Sequence, residues 1–386
     1  MIDYLTIDLP CHTLLFEVII LLIILSNIWI LRCTGRHTAP SGFPKVSILV
    51  PARNEERNIA ACVHSLLAQE YPNFEVLVFD DQSSDSTAAI LKEIAAANPK
   101  LRLLNGDPPP EGWVGKNWAC AQLADSAQGD IFYFTDADTV HQPWAVRTAA
   151  TVLLSERADL LTGFPAQRMD SWGERLIVPF FLWAFFSFTP LALAYRLRLP
   201  WLSNAVGQFM VFRREAYVAI GGHRKTADSI TEDLRLAQRM KAHGLRWRVI
   251  NAAGLLSCRM YAGFAEAWEG FSKNLFAAFG FRLLPYLFVF VWLAVLFYLP
   301  PGLLLGYAAG AVSQGSPLVW LLCIALALLI WLLPYRQLRL PLYLAFLYPL
   351  TLFVNELVAL RSLWASLRGA LSWKGRQFAP QRWRWV

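Results

Sequence analysis

Lys45-Val46-Ser47-Ile48-Leu49-Val50-Pro51-Ala52-Arg53-Asn54-Glu55-Glu56 is the stretch on which the reading of this chain turns. Its first half is a short apolar run stopped by Pro51, the pattern of a buried strand. Its second half becomes polar at once. From Glu55 to Gln69 the apolar residues Ile59, Val63, Leu66 and Leu67 then recur at helical spacing. The same alternation continues outward. Strands are expected at Phe74 to Phe79, Leu101 to Leu104 and Asp130 to Phe134, with helices at Ser84 to Ala97, capped by Ser83 or Ser84, and Lys116 to Ala127. Strands alternating with helices predict an α/β domain with a mostly parallel sheet, whose ligands sit beyond the carboxyl ends of the strands. The polar clusters of this region lie at those ends.

The flanks are of another kind. Of 386 residues only 16% are charged and 56% are hydrophobic, with a mean hydropathy of +0.39. A soluble domain carries about 25% charged residues, so a disordered chain and a disulfide scaffold are excluded and a purely soluble protein is not expected. Leu14 to Leu31 is nearly all aliphatic, and Leu283 to Tyr335 holds no charged residue. Both read as membrane-crossing. The first is expected to be an uncleaved anchor, because acidic Asp3 and Asp8 precede it and no small-x-small pattern follows. The expected plan is an anchor over 1–44, an α/β domain over 45–282 and membrane helices with a basic tail over 283–386. Arg32, Arg36 and Lys45 after the first span put the middle domain in the cytoplasm of a multi-pass inner-membrane protein. An internal tail requires either a re-entrant Leu340 to Leu360, which Pro341, Pro349 and Glu356 allow, or a double crossing around Pro300-Pro301. The six cysteines form no C-x-x-C pair, which suits a reduced compartment. The +7 net charge is partly juxtamembrane, so anionic lipid accounts for it and no nucleic-acid partner is expected.

Four polar clusters carry chemistry. Pro51 to Glu56 can offer backbone N–H groups and the Arg53 fork to an anionic or nucleotide ligand. Asp80-Asp81-Gln82-Ser83-Ser84-Asp85 can accept hydrogen bonds from a base or ribose, as acidic residues after a second strand do in dinucleotide folds. Neither a G-x-G-x-x-G motif nor a P-loop is present. Asp136-Ala137-Asp138 places two carboxylates at a strand end, where they can share a hard divalent cation, Mg²⁺ or Mn²⁺, with phosphate oxygens. Thr231-Glu232-Asp233 opens a helix expected over Leu234 to His243. Its carboxylates can serve the helix dipole or provide a general base.

Taken together and in this order, the four clusters resemble glycosyltransferase family 2 with its GT-A fold, over roughly residues 45–280. Gly115-Lys116-Asn117 resembles the segment that lies near the nucleotide diphosphate. The resemblance implies a UDP-sugar donor, with Pro51, Ala52, Arg53 and Glu55 lining the nucleotide pocket and Asp81 holding uracil. It also implies Lys116 near the diphosphate, Asp136 and Ala137 at the ribose or sugar, Asp138 and Asp136 at a divalent cation, and Asp233 as the base of an inverting displacement. A narrower likeness to bacterial enzymes that glycosylate carotenoids and hopanoid-associated lipids rests on Gly112-Trp113-Val114-Gly115-Lys116-Asn117-Trp118, Gly270-Phe271-Ser272-Lys273-Asn274 and Trp373-Lys374-Gly375-Arg376. It implies transfer of one sugar, with glucose expected, to the hydroxyl of a membrane lipid. Glu232, Gln208, Trp268, Lys273 and Asn274 are then the acceptor-side candidates.

The apolar run Leu176 to Phe186, within a segment spanning 172–198, is too short for a span and reads as a helix lying in the membrane interface. Two alternatives stand beside this reading. A processive polysaccharide synthase of the same family would carry Q-x-x-R-W after the T-E-D motif. Here Trp268 to Asn274 holds that place, and the literal match Gln381 to Trp385 falls beyond the apolar block. A nonenzymatic nucleotide-sugar-binding membrane protein would have no need of Asp138 and Asp233.

Overall fold

The computed structural model describes residues 8–33, 42–369, 372–373, 376–377 and 382–386. Asp3, Arg36, Lys374, Gly375 and Gln381 of the sequence reading therefore lie outside the described residues.

The central sheet is built as the alternation demands. Strands β1 (Val46–Ala52), β2 (Phe74–Asp80), β3 (Leu101–Asn105) and β4 (Ile131–Phe134) interleave with helices α2 (Ile59–Leu67), α3 (Thr87–Ala97) and α4 (Gly115–Ser126). These follow α1 (Leu9–Cys33). Strand β2 and nearly all of β1 are buried, because helices cover both faces of a parallel sheet and leave no face for water. Beyond β4 come β5 (Thr139–His141), α5 (Ala145–Ser155), β6 (Leu160–Gly163), β7 (Ala166–Gln167), α6 (Trp172–Phe188) and α7 (Leu191–Arg196). Then follow β8 (Met210–Arg213), α8 (Arg214–Ala219), α9 (Glu232–Ala242), β9 (Trp247–Ile250) and β10 (Leu256–Cys258). The seven-stranded sheet runs β3-β2-β1-β4-β8-β6-β9, and only β8 is antiparallel to its neighbours. A second sheet, β5-β10-β7, packs beside it.

Register fixes where the polar clusters end up. Ala52 lies opposite Asp80, Leu49 lies opposite Phe134, and the Thr135 N–H continues the ladder to the Leu49 carbonyl. The residues following β1, β2 and β4 thus emerge at one edge. Helix α3 begins at Thr87 rather than Ser84. Its N-cap position is Ser86, not Ser83 or Ser84, and makes no side-chain cap bond; the preceding Asp85 carboxylate accepts the Thr87 N–H at 3.0 Å.

The last part of the chain folds into α10 (Phe264–Ala278), α11 (Leu283–Ala308), α12 (Pro317–Gln337), α13 (Tyr343–Phe346) and α14 (Tyr348–Leu367). Among the described residues, four helices, α1, α11, α12 and α14, are long and apolar enough to cross a membrane. Helix α11 runs unbroken through Pro300-Pro301 and does not turn back there. At 26 residues it is about 39 Å long, more than a bilayer's hydrocarbon core of about 30 Å. Helix α14 leans along the α/β domain. The Asn355 amide donates to the Leu176 carbonyl of α6, the Ser362 hydroxyl accepts the Phe276 N–H of α10, and the Tyr286 hydroxyl donates to the Ala359 carbonyl. The chain terminus returns to the start of α11, where the N–H groups of Leu283 and Leu284 donate to the Arg384 and Trp385 carbonyls.

Helix α6 does not lie bare. Trp183 is fully buried, stacks on Trp331 at 3.9 Å between ring centres and donates from its indole to the Ile330 carbonyl of α12. At its C-terminal end, Asn27 of α1 donates to the Phe186 and Thr189 carbonyls. The Asn27 amide oxygen then receives the Leu191 N–H at the start of α7.

Candidate active site

The loops after β1 and β2 are zipped together by their own side chains. Asn54 Oδ1 accepts the Ser84 N–H at 2.9 Å, and Ser83 Oγ accepts the Asn54 N–H at 2.9 Å. The Glu55 N–H donates to Thr87 Oγ1, and the Glu56 N–H to Asp85. Asn54 and Gln82 both take left-handed backbone, with φ of 51° and 56°. Two non-glycine residues in that region mark a junction held by its surroundings, a common feature of ligand sites. The Arg53 guanidinium donates to the Asp81 carbonyl at 2.5 Å and stands 3.9 Å from its carboxylate. Arg53 is thereby turned toward Asp81, which is buried beneath it. Pro51 and Ala52, the last residues of β1, form the floor between these loops.

The loop after β4 carries Asp136, Ala137 and Asp138. The Thr139 hydroxyl donates to the Asp136 carbonyl at 2.7 Å, and the Thr135 hydroxyl donates to the Gln208 carbonyl at 2.8 Å. Burial drives the Asp138 pKa up to about 8, and the nearby carboxylates of Asp136 and Glu55 add to the rise. Its Oδ1 is buried without a hydrogen-bond partner among the described residues. A buried carboxylate oxygen left open beside two further carboxylates suits a divalent cation, so the residues fit Mg²⁺ or Mn²⁺. No cluster of three or more metal-ligating side chains occurs among the described residues. The remaining positions around an ion would fall to water or ligand oxygens, as Mg²⁺ sites commonly arrange.

Lys116, at the start of α4, joins the second half of the site to the first. Its ammonium lies 2.7 Å from Asp136 and 2.9 Å from Glu232. Burial by itself would lower its pKa, but these two carboxylates outweigh it and hold the value well above the ordinary lysine range. Neighbouring Asn117 is fully buried and donates to the carbonyls of Thr226, Ala227 and Ser229. The start of α4 therefore fixes the turn that leads into Thr231-Glu232-Asp233. Asp233 is held by backbone donors, the Gly207 N–H at 3.0 Å and the Leu234 N–H at 2.7 Å. Burial raises its pKa to about 7, with Glu232 adding to the rise and Lys116 opposing it. A carboxylate tuned near neutrality can take a proton at physiological pH.

Lys116, Asp136, Glu232 and Asp233 thus meet in space from three separate parts of the chain. Gln208 lies beside them, its amide oxygen accepting from Gln167 at 3.3 Å. Helix α10 carries the remaining candidates. Trp268 packs against Phe264 with ring centres 5.4 Å apart, and Asn274 keeps a buried amide oxygen with no partner among the described residues. Neither is hydrogen-bonded to the Lys116 group among the described residues. Half-buried Lys273 sits between them in sequence.

Three residues of the site are invisible to motif reading. A Cβ on Gly207 would stand 3.2 Å from the Lys116 ammonium and 3.5 Å from the Asp233 carboxylate, so the strand-entry backbone forms one wall. The Cys258 thiol, on the second sheet, reaches the Asp138 carboxylate. Tyr261 is raised in pKa chiefly by burial, and it also feels Asp138, Asp136 and Lys116. Tyr261 carries no local pattern that would have revealed it; only the 5-10-7 sheet brings it near.

The comparisons agree with this geometry. Residues 47–221 match the model of the family described as glycosyl transferase family 2. The 4,4'-diaponeurosporenoate glycosyltransferase of Staphylococcus haemolyticus is 29% identical over 236 residues, covering 60% of this chain and 60% of that protein. Its counterpart in Staphylococcus aureus (strain USA300) is 28% identical over 233 residues with the same coverage. The chain thus spans about 60% of the length of the curated relatives it matches. Among solved structures, a mannosyltransferase of Pyrobaculum calidifontis in complex with GDP-Man and Mn²⁺ superposes with a TM-score of 0.54 at 16% identity, over 93% of this chain and 99% of that one. The matched region holds the zipped loops, the Asp136–Asp138 turn and Lys116; residues 47–221 are similar to glycosyl transferase family 2, and the fold around them is a GT-A-like α/β core.

Proposed function

We propose that this chain is an inverting, metal-dependent glycosyltransferase that moves a sugar, glucose by our reading, from a UDP-sugar to a membrane lipid of the carotenoid kind. The observation that carries the proposal is the Lys116 bridge. One ammonium holds Asp136 of the donor side and Glu232 of the acceptor side, and it fixes the spacing between donor diphosphate and base. Asp81 and Arg53 hold the nucleotide base, and Pro51, Ala52 and Glu55 line its pocket. Asp136 and Ala137 face the ribose and sugar, and Asp138 with Asp136 would hold the divalent cation. When bound, that cation offsets charge on the diphosphate.

Asp233 then takes the acceptor proton as the acceptor oxygen attacks the anomeric carbon from the face opposite the diphosphate. Inversion follows from that single displacement. Backbone donors from Gly207 and Leu234 orient the carboxylate, and Lys116 stands ready to neutralise the departing diphosphate. The acceptor of the carotenoid-type relatives is named as a carboxylate, an ionised nucleophile that needs no base. A hydroxyl acceptor does need one, so the pH dependence of transfer separates the two.

The membrane helices support delivery of the acceptor from the bilayer. Helices α1, α11 and α12 span it, with the catalytic domain and the chain terminus on the cytoplasmic side. Helix α14 is re-entrant. Its Leu350, Phe353, Leu357, Leu360 and Trp364 are exposed on one stripe toward lipid, while Thr351, Asn355 and Ser362 face the protein. Helix α10, with Trp268, Lys273 and Asn274, lies between α14 and the catalytic domain and lines the acceptor's approach.

Membranes containing the protein are incubated with radiolabelled UDP-glucose and Mn²⁺, then extracted with organic solvent. Label is expected in a lipid-sized product and lost in Asp233→Asn, with UDP binding nearly intact. Label in a large water-soluble polymer would establish the synthase alternative. An active Asp233→Asn with a hydroxyl acceptor would overturn the base assignment.

A further inference from the structure

On the far edge of the sheet from the active site, a cavity of about 370 Å³ is lined by Tyr195, Arg196, Arg198, Lys241, Arg246 and Arg248. We propose that this cavity binds the headgroup of an anionic phospholipid of the cytoplasmic leaflet, a site separate from donor and acceptor.

Charge is the first argument. Five cationic side chains converge here, and among the described residues the carboxylate paired with one of them is Glu156, 3.4 Å from the Arg248 guanidinium. Lys241 is buried, at 6% exposure, and donates to the Ala194 carbonyl at the end of α7. Burial depresses its pKa, and the nearby charges of Arg248 and Arg198 add to the fall. Arg248 is held in place by the Tyr195 ring, 4.4 Å away. Such a set asks for an anion with several acceptor oxygens, as a phosphodiester provides.

Position is the second argument, and it selects lipid over a soluble anion. The Leu191 N–H at the start of α7 bonds to Asn27 in the last turns of α1, just before Arg32 ends that span. Helix α7 and the segment after it therefore lie at headgroup depth. From Arg196 to Trp201 the chain alternates, with extended backbone at Leu197 and Leu199. Arg196 and Arg198 line the cavity, while Leu193, Leu197, Leu199 and Trp201 are exposed, Trp201 at 68%. Basic residues beside exposed leucines and a tryptophan match a membrane interface, where apolar tips enter the acyl region and cations meet phosphate.

The test uses the full chain in an uncharged detergent. Native mass spectrometry and thermal unfolding are followed while dioctanoyl phosphatidylglycerol, dioctanoyl phosphatidylcholine or glycerol 3-phosphate is added. Phosphatidylglycerol is expected to bind saturably and raise the unfolding midpoint, with the other two at least tenfold weaker. Each basic residue facing an anionic surface is worth about fivefold in affinity, so Arg198→Gln/Arg246→Gln should weaken phosphatidylglycerol binding about 30-fold, with an unchanged midpoint in its absence. Should the double variant fail to fold, Arg196→Gln is expected to show the fivefold loss alone. Equal binding of phosphatidylcholine and phosphatidylglycerol, or a variant that binds as the parent does, overturns the proposal. Glycerol 3-phosphate binding as tightly as the lipid would make this a soluble-anion site and overturn it equally. Because none of these readouts uses glycosyl transfer, failure here leaves the proposed activity untouched, and the reverse.

Discussion

Glu232→Gln should move the acid limb of the pH–rate profile to lower pH. Asp233 acts as a base only when ionised, and burial with Glu232 beside it raises its pKa to about 7. With that value the carboxylate is about 9% ionised at pH 6 and about 91% at pH 8, so kcat/KM should rise about tenfold between them. Removing the Glu232 charge acts twice in the same direction. The like charge that favours protonation of Asp233 is lost. Lys116, which opposes it, is also released from its 2.9 Å contact with Glu232 and can serve Asp233 more fully. Charges on adjacent residues about 6 Å apart in an effective dielectric of about 20 interact by about 3 kcal/mol, or about two pH units. Glu232 is 7% exposed and Lys116 21%, so solvent trims this toward about one unit. The assay is initial-rate transfer to a hydroxyl-bearing lipid in detergent micelles from pH 5 to 9, at subsaturating donor. An acid limb that stays in place, or moves to higher pH, would refute the assignment of Asp233 as the titrating base. So would an unchanged limb in whatever activity Asp233→Asn retains.

Three further outcomes follow from the same geometry. Chelation with EDTA should abolish transfer and Mn²⁺ or Mg²⁺ should restore it, whereas Asp138→Asn should resist restoration at matched ion concentration; full rescue of that variant would remove Asp138 from the cation site. Asn117→Ala strips donors from three carbonyls and should destabilise the catalytic domain by about 2–3 kcal/mol, read as a lowered midpoint in chemical denaturation. Gly207→Ala places a methyl group against the Lys116 ammonium and the Asp233 carboxylate and should lower kcat more than tenfold with UDP affinity nearly unchanged, as a displacement of the base predicts; equal losses in both would mean the wall is merely structural.

Much of this was legible in the sequence. The alternation of apolar β-branched runs with helical periods determined the parallel sheet, because a strand covered on both faces can afford no polar residue along Val46 to Val50 except one that is paired, as Ser47 is with Glu75. The polar clusters at strand ends were legible for the same reason: the chain turns hydrophilic where it leaves the core. Uninterrupted apolar stretches determined α1, α11 and α12, since a bilayer sets the needed length.

Other features waited for the tertiary structure. Asn355, Ala359 and Ser362 look like ordinary helix residues until their partners in α6, α11 and α10 appear. The eleven apolar residues from Leu176 to Phe186 fit an interface or a core equally well; only the stack of Trp183 on Trp331 shows what they bury against. Local sequence can state which residues are polar, charged or small, because those are properties of single side chains. That Lys116 bridges two carboxylates almost a hundred positions apart, and that five cations gather beside α7, are properties of distance, and distance is decided by how the sheet and the membrane helices pack.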